Sequence, residues 1–138
     1  MSNPNRIYSR FFTIPKSAID ENGHVNNVAY VQWMQDIAVE HYASIGGIPA
    51  QGPDATWVVR EHRIEYLLPA FAGEEIEIRT WVENVRRVRS LRKYEFARRL
   101  DGRILVKGET DWVFVDAKTG MPRAIPKEVS SVFNLASE

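Results

Sequence analysis

The chain contains no cysteine. That absence removes disulfides, thiolate metal ligands and a cysteine nucleophile from consideration. Net charge is missing as well: 18 Lys and Arg balance 18 Asp and Glu, for a formal charge of zero. A domain built for nucleic acid carries a basic excess that neutralises phosphates, so no nucleic-acid partner is expected. Long apolar runs are absent, and none approaches the roughly 20 residues needed to span a bilayer. No membrane partner is therefore expected. The opening M-S-N-P-N-R lacks the apolar core of a signal peptide, which makes a cytoplasmic location the expectation. Histidine is scarce and scattered, at His24, His41 and His62, with no ligand-pair spacing. Neither a metal site nor any other cofactor is expected.

What is present is ordinary globular composition, with 138 residues, 44% hydrophobic and 26% charged. That length suits one domain, taken as residues 1–138. Arg6 to Ile14 is rich in β-formers and ends at Pro15. From Val28, apolar residues recur at spacings of three and four: Val31, Met34, Ile37, Ala38, Tyr42 and Ile45. Gln32, Asp36, Glu40 and Ser44 form the opposite, polar stripe, so the spacing predicts an amphipathic helix. Asn26 or Asn27 is its expected N-cap, and Gly46 and Gly47 its stop. Two prolines and a glycine mark Ile48 to Ala55 as a loop.

The period then changes. Thr56 to Leu68 is long and β-rich. Glu74 to Val85 alternates, with Ile76, Ile78, Thr80 and Val82 on one face. Ser90 to Leu100 puts Tyr94 and Phe96 on one face, and Asp101–Gly102 has the composition of a two-residue hairpin turn. Ile104 to Val115 carries Ile104, Val106, Trp112 and Phe114 together, and Pro126 to Phe133 reads as a short terminal helix. Four strands with short connections should pair antiparallel. The face bearing Ile76, Ile78, Tyr94, Phe96, Trp112 and Phe114 is the one expected to cover the helix.

The richest stretch is Asp20 to Tyr30, D-E-N-G-H-V-N-N-V-A-Y. Asp20, Asn22 and His24 fall at every second position just before the helix. Unpaired N–H groups and the helix dipole favour negative charge at such a place, as acyl transfer requires when an oxyanion develops.

This run resembles the signature of hot-dog fold thioesterases, Asp-x-x-Gly-x-Val-x-Asn-x-x-Tyr, through Asp20, Gly23, Val25, Asn27 and Tyr30. Strand order and helix position extend the resemblance over nearly the whole chain. It implies an α+β fold, one long central helix wrapped by a five- or six-stranded antiparallel sheet. It implies an acyl-CoA thioester substrate, no cofactor, and pairing of sheets edge to edge in a homodimer or homotetramer, with the active site at the subunit interface. Asp20 is similar to the catalytic aspartate of enzymes like 4-hydroxybenzoyl-CoA thioesterase. The acyl-carrier-protein thioesterases of plant type carry Asp-x-Asn-x-His-Val-Asn-Asn, matched by Asp20, Asn22, His24, Val25, Asn26 and Asn27. Their following Glu-Cys pair falls at Pro69 and Ala70 here, which favours an acyl-CoA hydrolase. Hot-dog hydratases use Asp-x-Asn-Pro-x-His, a step longer and with a proline absent here.

On this reading Asp20 attacks the thioester carbonyl or serves as general base on water. Asn22 positions water, and His24 orients water, holds Asp20 or bonds the carbonyl. Gly23 permits close backbone approach, Asn27 fixes the loop, and the N–H groups from Val28 to Tyr30 form the oxyanion hole. Tyr30 lines the acyl tunnel, whose depth would depend on Met34, Ile37, Trp57 and Trp81. The basic run Arg86, Arg87, Arg89, Arg92 and Lys93 offers contacts to coenzyme A phosphates, with Arg89 and Ser90 foremost. Glu61, at the alternation of Trp57 and Val59, is either a pocket carboxylate or an outward ion pair. A non-catalytic acyl-CoA-binding module is the alternative of another class.

Overall fold

Alternating side chains build the sheet, three of its five strands from the second half of the chain. The computed structural model describes residues 7–133, so Arg6, expected to open the first strand, lies outside the described residues. Five strands form one sheet: β1 (Ile7–Thr13), β2 (Ala55–Tyr66), β3 (Glu75–Arg86), β4 (Arg89–Arg98) and β5 (Ile104–Asp116). Their order is β1-β3-β4-β5-β2, with every neighbour antiparallel. β1 and β2 are therefore the edges.

The helix α1 (Asn27–Ser44) has 18 residues and crosses the inner face of this sheet. Asn26 caps it by accepting from Val28 N–H at 2.8 Å. After its last turn Gly46 takes φ +85°, a conformation that suits glycine and ends the helix. The buried stripe is Tyr30, Met34, Ile37, Ala38, His41 and Tyr42. Tyr30 and His41 join the expected core, whereas Val31 and Ile45 are only half-buried. Tyr30, Met34, Ile37 and Ala38 pack on Ile76, Ile78, Tyr94, Phe96 and Val106. A second cluster gathers Tyr42, Val82 and Phe114 with Val129 and Phe133 of the C-terminal segment. Each such side chain contributes about 1.5–3 kcal/mol when taken fully from water.

Local differences from the expected elements have physical causes. The stretch expected as a loop from Ile48 begins with a short helix, α2 (Gly47–Gln51). Gly46 breaks α1 and starts this turn, and Gln51 fixes it by accepting from the Tyr42 hydroxyl and donating to Ala55 O. A 3-10 turn, Lys16–Ala18, follows Pro15. The terminal helix divides into α3 (Lys127–Ser130) and a 3-10 turn, Ser131–Phe133.

A β-bulge between Val59 and Glu61 has the largest consequence. It breaks the alternation begun at Trp57. Glu61 consequently sits opposite Asp111 on the outer side, and His62 opposite the buried Thr110. Glu61 is thus not a pocket carboxylate. Trp81 also lies on the outer face, donating to Glu83 at 3.0 Å, so it does not shape the space beside α1.

Gly108 of β5 lets the helix approach. A Cβ there would lie 2.9 Å from Met34 Sδ. Gly108→Val should lower the unfolding free energy by about 1–3 kcal/mol through overpacking, measured by urea titration.

Candidate active site

The Asp20 loop is built by its own backbone. Asp20 N–H donates to His24 O at 3.1 Å, and Gly23 N–H to Asp20 O at 3.0 Å. Asp20 Oδ1 accepts from Asn22 N–H at 2.9 Å, which closes an Asx turn. Gly23 has φ +86°, and open space surrounds the position a Cβ would occupy. Its glycine is required by backbone conformation. Two anchors fasten the loop to the fold: Val25 N–H donates to Ala70 O at 2.9 Å and Asn26 N–H to Ala18 O at 2.8 Å. Ala70, where the plant-type enzymes have a reactive pair, is therefore the backbone support of the loop.

Beside the loop runs a groove of about 460 Å³ with its mouth included, lined by His24, Val25, Asn27, Tyr30 and the stretch from Tyr66 to Ala70. The structure thus brings His24, Asn27 and Tyr30 together. Asp20, Asn22, Gly23 and Val28 do not line it within one protomer. Tyr30 is packed edge-on against Phe96 and Trp33, with ring centroids 5.0 and 5.5 Å apart. Burial, then Tyr66 and Glu74, push its hydroxyl up to about 12, so it stays a neutral donor.

The helix mouth offers fewer free donors than the sequence implies. Val28 N–H is occupied by the Asn26 side chain, and Ala29 N–H donates to Asn26 O at 3.0 Å. Asn27 N–H has no partner among the described residues. One available oxyanion donor, Asn27 N–H, therefore lies a residue before the expected group.

Arg89 and Ser90 lie at the other end of α1, where β4 begins beside the Tyr42 cluster. They also face opposite sides of the sheet. Arg89 Nε donates to Asp111 Oδ1 at 3.2 Å, and its Nη2 bonds Asp111 Oδ2. This pairing holds the Arg89 guanidinium above its ordinary value. Arg60 joins the same carboxylate at 3.3 Å. Ser90 is buried on the inner face.

One inner residue, His62, escaped the sequence reading, and another, Arg92, was set in a solvent-facing basic run. His62 Nδ1 lies 2.8 Å from Thr110 Oγ1, and burial lowers its pKa below the ordinary 6.5. Only recognition of the bulge would have placed it inside. Arg92 is buried beneath the helix. Its parity with Tyr94 and Phe96 was the available signal.

A helix laid on an antiparallel sheet in this strand order, with an Asp20–Gly23 turn at the helix mouth, defines a domain of the hot-dog thioesterase class. The sequence pattern of the thioesterase-like superfamily matches residues 14–133, and the chain belongs to that superfamily, with thioester hydrolysis as its reaction class. The 1,4-dihydroxy-2-naphthoyl-CoA thioesterase of Synechocystis superposes with a TM-score of 0.82 at 14% identity, over 96% of this chain and 98% of that one. The PA5185 protein of Pseudomonas aeruginosa strain PAO1 does so at 0.83 and 21%, over 94% and 91%. The 12:0-ACP thioesterase of Umbellularia californica gives 0.83 and 20% over 93% of this chain, which spans 49% of that one. No curated protein matches the sequence.

Asn26→Ala should cost about 1 kcal/mol through loss of the cap, measured by thermal or urea unfolding. His62 gives a pH effect of defined sign. The unfolded chain takes up a proton near the ordinary 6.5, whereas the folded chain resists it. The stability associated with neutral His62 is full above that value and is lost as pH falls toward the lowered one. The melting temperature should decline as pH falls below about 6.5, and His62→Gln should reduce that slope.

Proposed function

We propose that this chain hydrolyses acyl-CoA thioesters to free acid and coenzyme A at the mouth of α1, without a cofactor, with Asp20 as nucleophile or general base. The observation that carries this reading is the state of the Asp20 carboxylate. The turn uses only Oδ1, and Oδ2 has no partner among the described residues. A carboxylate held by its loop and half free is suited to attack a carbonyl or to take a proton from water. Asn27 N–H and the neutral Tyr30 hydroxyl supply donors for the developing oxyanion. His24 and Asn22 position the water or the thioester.

The carrier reading rests on Pro69 and Ala70. Neither side chain can act as acid or nucleophile, so the extended acyl-carrier-protein machinery has no counterpart at those positions.

A homodimer, alone or paired into a tetramer, completes this site. β2 is a 12-residue edge strand with one side unpaired, and Val58, Tyr66 and Leu67 along and beside it are exposed. Such an edge invites pairing. Antiparallel pairing of two copies along β2 sets the Tyr66 end of one beside the Ala55 end of the other, so the groove of one protomer meets the Arg89 end of its partner. That arrangement reconciles the separation of Arg89 and Ser90 from Asp20 with roles in one substrate site. The setting is cytoplasmic.

Asp20→Asn tests the assignment, because an amide oxygen still accepts from Asn22 N–H. Thiol release from a panel of acyl-CoAs should fall by about 100-fold or more with the melting temperature preserved. Equal turnover by the variant would leave Asp20 as a turn residue only. Binding of acyl-CoA without turnover by wild type would mean a non-catalytic module.

A further inference from the structure

A second cavity lies at the opposite end of α1 from the Asp20 loop. It has a volume of about 660 Å³ with its mouth included. Its walls are apolar and aromatic, from Tyr42, Trp57, Trp112 and Phe133. Its floor carries a cation. Arg92 is 3% exposed and lines this space.

The guanidinium there has no counter-charge among the described residues. Nη1 donates to His41 Nδ1 at 2.9 Å and to Thr80 Oγ1 at 3.1 Å. Arginine has no acceptor, so His41 Nδ1 must be the acceptor in that bond, which sets the Nε2–H tautomer. The Thr80 hydroxyl sends its own proton to Lys93 O at 2.9 Å. Both partners are neutral. Among the described residues no carboxylate forms an ion pair with Arg92, and its Nε and Nη2 have no hydrogen-bond partner. Burial lowers its pKa to about 10, which leaves it charged at neutral pH. A buried charge without an opposite charge is costly to keep.

A second donor stands beside it. Ser90, two residues earlier on the same face of β4, is buried, lines the cavity, and forms no side-chain hydrogen bond among the described residues. The Trp57 indole N–H in the adjoining wall is buried beside the Tyr42 hydroxyl and makes no hydrogen bond of ordinary geometry among the described residues. Donors therefore converge on a space that offers no acid, and apolar rings surround them.

We propose that this cavity binds an organic monocarboxylate, its apolar body between Trp57, Trp112, Tyr42 and Phe133 and its carboxylate on Arg92 and Ser90. Guanidinium and carboxylate match in charge and in forked geometry, and a dry surround strengthens the pair. A free acid is also the kind of product that thioester hydrolysis releases. Ser90 is shared with the substrate site proposed above, but Arg92, which supplies the charge, is not, so the grip on the carboxylate does not depend on the role of Asp20.

The experiment titrates the full chain with octanoate, and with 1-octanol and octylamine as controls of equal length, by calorimetry and tryptophan fluorescence. Octanoate should bind at least about 10-fold more tightly than octanol, and octylamine should not bind. Arg92→Met should weaken octanoate binding roughly 10- to 100-fold without affecting octanol, and without lowering the melting temperature, since it removes an uncompensated charge. Ser90→Ala should cause a smaller loss. Equal binding of octanoate and octanol would overturn the proposal, as would unchanged octanoate affinity in a folded Arg92→Met variant. Should Arg92→Met not fold, the discrimination shown by the wild type decides.

Discussion

The sheet presents one inner face, and α1 is the element that covers it. That covering depends on close approach. Met34 sits against Gly108, where any side chain on the strand would strike its sulfur. Around this contact Tyr30, Ile37 and Ala38 settle on Ile76, Ile78, Tyr94 and Phe96. Once the helix is fixed, its two ends become the two functional places of the fold. The mouth carries the Asp20 loop and the groove to Tyr66. The far end carries Tyr42, the aromatic cavity and the start of β4. Tyr30 and Tyr42 are 12 positions apart, which at 1.5 Å per residue separates these places by about 18 Å.

Charge is handled differently on the two faces of the sheet. Outside, Arg60, Arg89 and Asp111 form a cluster, and Arg79 with Glu95 pair across strands at 3.7 Å. Arg79 and Glu95 lie near water, and a single pair of that kind contributes little to stability, whereas the Asp111 carboxylate is buried and held by both of its arginines. Inside, Arg92 is buried against neutral acceptors alone. The outer pairs belong to a solvated surface, whereas the inner cation is a standing cost of the fold that an anion in the cavity would offset.

Much of this arrangement was legible in the chain. Asn26, Gly46 and the spacing of Met34, Ile37, Ala38 and Tyr42 act locally, through capping and helical periodicity, so the helix was readable within a residue or two. The alternation of Ile76, Ile78, Thr80 and Val82 placed β3 correctly for the same reason. Glu61 and His62 were not readable, because a bulge depends on how β2 pairs with β5 and leaves no composition signal in β2. Arg92 was set among surface arginines by its neighbours Arg89 and Lys93. Its parity with Tyr94 put it inside, at a cost that sequence patterning alone would reject.

The sequence by itself determined α1, the strands, the cap, the Asx turn at Asp20 and the family signature, since each is carried by residues within a few positions of one another. Only the tertiary structure decided which groups meet. It left Asn27 N–H free and Val28 N–H occupied, moved Ser90 and Arg89 to the far end of the helix, and enclosed Arg92 with His41 and Thr80 beneath aromatic walls. Those outcomes depend on strand register and on the path of the helix across the sheet. Both are settled by packing between residues distant in the chain.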